Sequence, residues 1–282
     1  MENAQASSVS SEPSVSASAV NPRFQRLALL TGSGALERLA HTRVVIFGVG
    51  GVGSWAAEAL ARSGVGTIAL VDSDSVCITN INRQVQATEA TVGRIKVDAL
   101  KERLLQINPA CTITAHAAVF SKETAHLFDI ASYNFVIDAI DSVTHKADLL
   151  EYCVTLPETQ RPAVFSSMGM AQKLNPLLLK TADIWDTHGC PLARLMRQLL
   201  KKRGLTDKHF TVVYSAERLP LHTDIAYSCG KGNCLCPKTE NGTKEWCSSK
   251  KVINGSSVTV TATAGMILAS LVLAASVQHE FA

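Results

Sequence analysis

Short apolar runs alternate with segments of helical periodicity along most of this 282-residue chain. The apolar runs predict strands at residues 44–47, 67–71, 111–115, 135–137 and 163–166. The helical spacing predicts helices at residues 23–40, 52–63, 96–107 and 144–154. Because such alternation builds a sheet covered on both faces, we predict an α/β fold that is Rossmann-like and doubly wound, with a mostly parallel sheet.

The pattern changes after residue 175. Additional C-terminal strands are predicted at residues 177–180 and 211–214, on either side of a basic helix at residues 192–202. Residues 258–263 alternate in period two, which predicts one more strand, and residues 264–277 predict a final apolar helix.

No charged residue lies between Lys251 and His279, so a hydropathy window marks this region as a candidate membrane span. With residues 258–263 assigned to a strand, the remaining helix is shorter than the roughly 20 residues that a span needs. We therefore expect a helix buried in the core or at a dimer interface. Membrane association, for example of a nucleotide sensor without enzymatic activity, stays open as the alternative.

Composition divides the chain into a tail and one domain. Residues 1–20 are rich in Ser and Ala and lack the features of a signal peptide, which predicts a disordered tail on a cytoplasmic protein. Residues 21–282 are expected to form a single domain, with residues 175–282 as its substrate-facing or dimer-facing part. Most of the eight cysteines should be free thiols in a reducing compartment, and half of them lie in a polar loop or insertion at residues 218–255.

The first predicted strand runs directly into a glycine-rich turn and then into a helix. Glycines let the backbone approach phosphate oxygens, and the helix N-terminus offers unpaired N–H groups to the anion. Asp72 ends the second strand about 20 residues further on, where an acid binds ribose hydroxyls. We therefore predict a nucleotide site that includes the glycines of the turn: Gly48, Gly50, Gly51 and Gly53.

The polar residues after Asp72 favour a site that cleaves between phosphates. Arg83 can fork onto phosphate oxygens, and Lys96 can act as a point charge on the same group. Such cations stabilise the charge that builds on a leaving pyrophosphate, whereas hydride transfer does not need them. Asp138 and Asp141 end the fourth strand and could hold Mg²⁺ against phosphates; Asp138 could instead be a cap, so Asp141 is the better candidate.

These motifs together resemble the adenylating family that includes ubiquitin-activating enzymes and the activators of bacterial sulfur carriers. The resemblance covers about residues 21–180 and implies ATP and Mg²⁺ as cofactors and a homodimer with composite sites. It implies that Asp72 holds the ribose and that Asp141 binds Mg²⁺, while Arg26 reaches the γ-phosphate region of the partner subunit. The remaining implied nucleotide contacts, to the phosphates or within the shared motif, are Asp74, Asn80, Arg83, Gln84 and Lys96.

Within the family, residues 138–146, 192–204 and 210–215 resemble the branch that dehydrates threonylcarbamoyladenosine in tRNA. That branch activates the threonine carboxylate as an acyl adenylate, which then cyclises without an enzyme nucleophile. Cys190 is a candidate nucleophile that this chemistry does not require. The alternative is an activator of a ubiquitin-like sulfur carrier, which usually holds zinc with two C-x-x-C pairs that this chain lacks. Cysteine desulfurase partners are implied by the resemblance alone.

The basic helix is the candidate contact with tRNA phosphates. The net charge of +3 does not by itself mark a nucleic-acid-binding protein, so such a contact must be a local patch. A solvated helix face is the alternative interpretation. The basic residues concerned are Arg194, Arg197, Lys201, Lys202 and Arg203.

Overall fold

Seven strands form one sheet within residues 20–220, 222 and 254–277, which the computed structural model describes. The strands are β1 (Arg43–Phe47), β2 (Thr67–Val71), β3 (Thr112–His116), β4 (Phe135–Asp138), β5 (Ala163–Ser167), β6 (Lys180–Asp183) and β7 (Thr211–Tyr214). Their order is β3-β2-β1-β4-β5-β7-β6, and all neighbours are parallel except the pair β6–β7. The predicted fold class is confirmed.

The order of the strands places a crevice between β1 and β4. The chain passes from β1 to β2 and β3 on one side and continues to β4 and β5 on the other. Loops that leave the carboxyl ends of β1 and β4 therefore diverge, and ligands of doubly wound sheets bind at this point.

Helices cover both faces of the sheet. The helices are α1 (Gln25–Thr31), α2 (Ser33–His41), α3 (Gly53–Arg62), α4 (Lys96–Ile107), α5 (Val143–Thr155), α6 (Pro191–Lys202) and α7 (Val258–Val277). Leu60 of α3, Leu100 of α4 and Leu268 of α7 belong to one core, and Leu149 of α5 and Met196 of α6 to the other. Since β1 contributes alternate residues to both cores, its sequence is a continuous apolar run.

Two predicted elements begin or end differently because of local turns. The helix predicted over residues 23–40 is divided by Gly32, whose φ of +83° ends α1 and starts α2. The strand predicted at residues 177–180 starts three residues later, since Pro176–Leu178 form a 3-10 turn. Asn175 caps this turn by accepting a hydrogen bond from the backbone N–H of Leu177.

The prediction of a strand at residues 258–263 is wrong, because these residues form the first turns of the 20-residue helix α7. The β-branched side chains fit this helix because threonine hydroxyls can bond back to carbonyl oxygens one turn earlier. Thr261 donates to the carbonyl of Ser257, and Thr263 donates to that of Thr259. The final apolar helix itself is confirmed.

By length and composition α7 could cross a membrane. The expectation that the final helix is too short for a membrane span is therefore wrong. One such helix is weak support for a span, since core helices pass the same test. In this fold Val260, Leu268 and Val272 of α7 are fully buried. Arg38 of α2 donates to the carbonyls of Ser276 and Val277 at the end of the helix.

The predicted tail lies outside the described residues apart from Val20, as does most of the predicted loop at residues 218–255 with its four cysteines. The four cysteines that the structure describes are free thiols, as expected: Cys77, Cys111, Cys153 and Cys190.

Candidate active site

A cavity of about 650 Å³ opens at the carboxyl ends of β1, β2 and β4. The topological switch point therefore coincides with the site predicted from the motifs. Of the residues predicted for the nucleotide site, Gly53 and Arg26 do not line it. Those that do are Gly48, Gly50, Gly51, Asp72, Asp74, Asn80, Arg83, Gln84, Lys96 and Asp141.

The glycines of the turn have different structural roles. Gly48 has a φ of +85°, and a Cβ there would lie 2.7 Å from the carbonyl oxygen of Ala139. A Cβ on Gly53 would lie 1.9 Å from the carbonyl oxygen of Gly48, so this glycine lets α3 start against the turn. Gly50 faces the cavity, where the nearest atom to its Cβ position is Nε2 of Gln84 at 3.8 Å. Gly53 thus shapes the site without lining it.

Asp72, Asp74 and Lys96 form a charged group on one wall. Lys96 Nζ lies 2.7 Å from Asp74 Oδ2 and 3.8 Å from Asp72 Oδ1. Burial lowers the pKa of Lys96, but the carboxylates of Asp72, Asp74 and Asp141 outweigh it and raise the pKa above its ordinary value. The ammonium is therefore charged at neutral pH and available to an anionic ligand.

Asp72 is held in place by backbone donors. Its Oδ2 accepts from the N–H of Val49 at 2.9 Å, and its Oδ1 accepts from the N–H of Asp74 at 2.9 Å. Burial raises the pKa of Asp72, and the neighbouring Lys96 opposes this shift. The carboxylate thus joins the end of β2 to the glycine-rich turn.

The loop after β2 brings Asn80, Arg83 and Gln84 to the cavity. Asn80 accepts a hydrogen bond from the backbone N–H of Cys77 through Oδ1, so its amide nitrogen is the group left for a ligand. The Arg83 guanidinium donates to the carbonyl of Thr79 at 2.8 Å, and the Arg83 carbonyl accepts from Trp55 Nε1 at 3.0 Å. These bonds orient the loop, and Arg83 remains at the cavity surface.

The two carboxylates after β4 have separate roles. Asp138 is fully buried and its Oδ2 lies 2.7 Å from Lys146 Nζ. Ser166 Oγ donates to the same oxygen at 2.6 Å, and the N–H of Ile140 donates to Oδ1 at 3.1 Å. Asp141 is exposed and lines the cavity. Asp141 is therefore the carboxylate that can share a metal ion with a phosphate ligand, while Asp138 supports the turn.

Among the described residues, no group of three or more His, Cys, Asp or Glu side chains could hold a metal ion alone. Mg²⁺ commonly binds through one or two carboxylates plus substrate phosphates. The donor set around Asp141 fits such a shared site rather than a site formed by protein ligands only.

Comparison with known proteins identifies the family of this chain. The model of the ThiF family matches residues 24–280. The chain belongs to the ThiF family. The chain is 41% identical over 219 residues to the tRNA threonylcarbamoyladenosine dehydratase of Bacillus subtilis (strain 168), covering 77% of this chain and 84% of the relative. It is 36% identical over 256 residues to the Escherichia coli (strain K12) dehydratase, covering 88% and 91%.

Solved structures of the E. coli dehydratase are similar to the whole ThiF-family fold described here. The complex of that enzyme with ATP superposes with a TM-score of 0.75 at 32% identity, covering 92% of this chain and 95% of that chain. Its complex with AMP gives the same TM-score at 31% identity and covers 94% and 99%.

The basic helix of this ThiF-family chain is α6, and two of its predicted cations bind within the protein. Arg197 donates to Thr187 Oγ1. Arg203 pairs with Asp148 and Glu151, each at 2.8 Å. The exposed cations of the predicted patch are Arg194, Lys201 and Lys202.

Sequence reasoning missed one wall of the ThiF-family cavity. Leu192, Ser256 and Thr261 line it, although no local motif marks them. Asn82 Nδ2 donates to the carbonyl of Ser256 at 3.0 Å and ties this wall to the loop after β2. Cys190, the candidate nucleophile, is 2% exposed and does not line the cavity.

Proposed function

We propose that this protein uses ATP to dehydrate threonylcarbamoyladenosine in tRNA, closing the threonylcarbamoyl group into a ring. The observation that carries the proposal is the cavity itself. One crevice is lined by the glycine-rich turn and by the charged side chains of Asp72, Lys96, Arg83 and Asp141. The E. coli dehydratase shares this fold over 95% of its chain.

The proposed orientation of ATP follows from the groups on each wall of the cavity. Its phosphates would lie on the glycine-rich turn and the N-terminus of α3, where N–H groups are available. Asp72 would hold the ribose, and Arg83 and Lys96 would bind the phosphates together with Asn80 and Gln84. Asp141 would hold Mg²⁺ with phosphate oxygens, and the metal would supply charge neutralisation there.

The reaction takes two steps. A threonine carboxylate oxygen attacks the α-phosphorus, and the bond to pyrophosphate breaks to give an acyl adenylate. The carbamoyl group then attacks the activated carbonyl carbon, loses a proton and expels AMP with the carboxylate oxygen. The substrate thereby loses one water overall. Since both reacting groups belong to one side chain, orientation supplies much of the rate and no enzyme nucleophile takes part.

The tRNA would approach along α6. Leu192 near its start lines the cavity, and its exposed cations follow along a helix about 18 Å long. Arg194, Lys201 and Lys202 could therefore meet successive phosphates while the modified base enters the cavity. Arg197 and Arg203 would support the helix through their internal contacts.

A homodimer would complete the site through Arg26. This residue is exposed on α1 beside Leu29 and Leu30, which are 84% and 78% exposed. Apolar side chains so exposed favour burial against a second copy, and Arg26 would then reach the partner's phosphates. Cysteine desulfurase partners and a cytoplasmic location remain predictions.

The test is incubation with ATP, Mg²⁺ and tRNA that bears threonylcarbamoyladenosine, followed by nucleoside mass spectrometry. We expect loss of one water from the nucleoside with formation of AMP and pyrophosphate. An unchanged nucleoside mass would refute the proposal, and adenylation of a ubiquitin-like carrier instead would support the alternative function. Arg83→Ala and Asp141→Ala should each abolish AMP formation in a folded protein.

Mixing two inactive variants tests the composite site. Arg26→Ala and Arg83→Ala should each be inactive alone, but mixed dimers would contain one site with both arginines intact. We expect partial recovery of AMP formation after the two variants exchange subunits. Absence of recovery in dimers shown to be mixed would contradict the role of Arg26.

A further inference from the structure

Gln86 is a buried amide that lies behind the nucleotide loop. Its side chain is 2% exposed and does not line the cavity. Nε2 donates to the carbonyl oxygen of Val49 at 2.8 Å and lies 3.5 Å from Gln84 Oε1. Gln86 therefore contacts two parts of the site without reaching the ligand space.

The contact with Val49 fixes the glycine-rich turn from its second side. The N–H of Val49 donates to Asp72, and its carbonyl accepts from Gln86. Val49 stands between Gly48 and Gly50, whose backbones have few steric restraints of their own. Side-chain bonds to Val49 therefore set the direction in which the N–H groups of the turn point.

The buried amide of Gln86 is energetically unfavourable in one respect. Oε1 of Gln86 has no hydrogen-bond partner among the described residues. A buried acceptor without a partner is unfavourable, and such groups in native proteins call for an explanation. An apolar side chain would avoid this penalty but could not donate to Val49.

We propose that Gln86 is a positioning residue that orients the glycine-rich turn toward the phosphates of the nucleotide. The inference rests on the proposed use of ATP. It predicts that changing Gln86 weakens the binding of ligands that carry phosphate groups. The binding of the nucleoside part, whose ribose Asp72 would hold, should hardly change.

The experiment compares the affinity of ATP and adenosine for Gln86→Leu and Gln86→Met, by displacement of a fluorescent ATP analogue from the full-length protein. Loss of the donor should weaken ATP about tenfold, in line with one buried hydrogen bond. Adenosine should change less than about twofold, because Asp72, which would hold its ribose, keeps the N–H of Asp74 as a second backbone donor. The methionine variant keeps the side-chain length and has neither a donor nor a charge, so it serves if the leucine variant does not fold.

Asn108 provides the matched control. It is 3% exposed, its Oδ1 also lacks a partner among the described residues, and it does not line the cavity. Asn108→Leu should leave both affinities unchanged. Equal losses of ATP and adenosine affinity, or a native ATP affinity in a folded Gln86 variant, would overturn the inference. A wild-type protein that binds ATP but does not modify tRNA would contradict the proposed function alone.

Discussion

The buried ion pair between Asp138 and Lys146 predicts a large loss of stability when one partner is removed. Both side chains are 0% exposed and their charged atoms are 2.7 Å apart. Removing one member of such a pair leaves a buried charge and costs about 3–5 kcal/mol. We expect this loss for Lys146→Met. Asp138→Asn should cost somewhat less, because Lys146 Nζ keeps its bond to the carbonyl of Ile140.

Replacing both residues should recover most of the loss. Asp138→Asn with Lys146→Met removes both charges and leaves similar volumes, and such replacements are often neutral or better. The double variant should therefore be at least about 2 kcal/mol more stable than Lys146→Met alone. Urea unfolding measures this directly: with a slope of about 3 kcal/mol per molar, Lys146→Met should lower the midpoint by roughly 1–1.7 M.

The same variants should impair the site. Lys146 and Asp138 bind the carbonyl and the N–H of Ile140, which precedes the cavity carboxylate Asp141. Arg94 and Glu102 offer an exposed pair as a control, and its removal should leave the midpoint unchanged. A midpoint shift below about 0.3 M for Lys146→Met, or a double variant no more stable than it, would refute the reasoning.

Three further predictions follow from packing, burial and charge. Gly265→Ala should destabilise the protein by about 1 kcal/mol in urea unfolding, because overpacking exceeds the gain in helix propensity. Its methyl group would lie 2.5–2.9 Å from atoms of α3 and its preceding turn. Burial raises the pKa of the Cys111 thiol from 9.0 to about 11, so the folded state holds this proton more tightly. That stabilisation is complete below pH 9 and lost as pH rises through 11; after solvent screening we expect about 1 kcal/mol, absent in Cys111→Ala. Replacing Lys201 and Lys202 by Glu should weaken tRNA binding. The slope of the logarithm of the binding constant against the logarithm of the salt concentration should become less steep by about 0.7–0.9 per lost phosphate contact.

Each of these predictions has its own control. Ser270→Ala lies on the exposed side of α7 and should leave stability unchanged, whereas a stable Gly265→Ala would show that α7 does not pack on α3. An alkaline unfolding profile of Cys111→Ala identical to that of the native protein would contradict the burial effect. Arg203→Ala should lower stability through loss of its pairs with Asp148 and Glu151. A loss of tRNA affinity as large in Arg203→Ala as in the variant with both lysines replaced would argue against a local patch.

Much of the site was predictable because its motifs follow successive strands. The glycine-rich turn follows β1, Asp72 follows β2 and Asp141 follows β4, so strand order alone brings them together. The separate roles of Asp138 and Asp141 were harder to predict from the sequence. It depends on Lys146 and on Ser166 of the neighbouring strand, and their side-chain contacts have no local sequence signal.

The C-terminal half was less predictable for a tertiary reason. Residues 258–263 suit a strand or a helix equally well, and packing of α7 on α3 decides between them. Ser256 and Thr261 reach the cavity only because α7 starts there. The roles of Arg197 and Arg203 likewise depend on acceptors outside α6. The helical spacing of the basic residues therefore predicted more exposed positive charge than the structure has.

The packing of α7 on α3 also determines how late during translation this part of the core can form. Gly265 follows Ala56, against which it packs, by 209 residues. At about 5–20 residues per second, a ribosome needs roughly 10–40 s to span that interval. During this time the nascent chain already contains its glycine-rich turn but lacks the wall that carries Thr261. The face of α3 that packs on α7 stays uncovered until α7 has been synthesised, so this part of the apolar core forms long after the glycine-rich turn has been made.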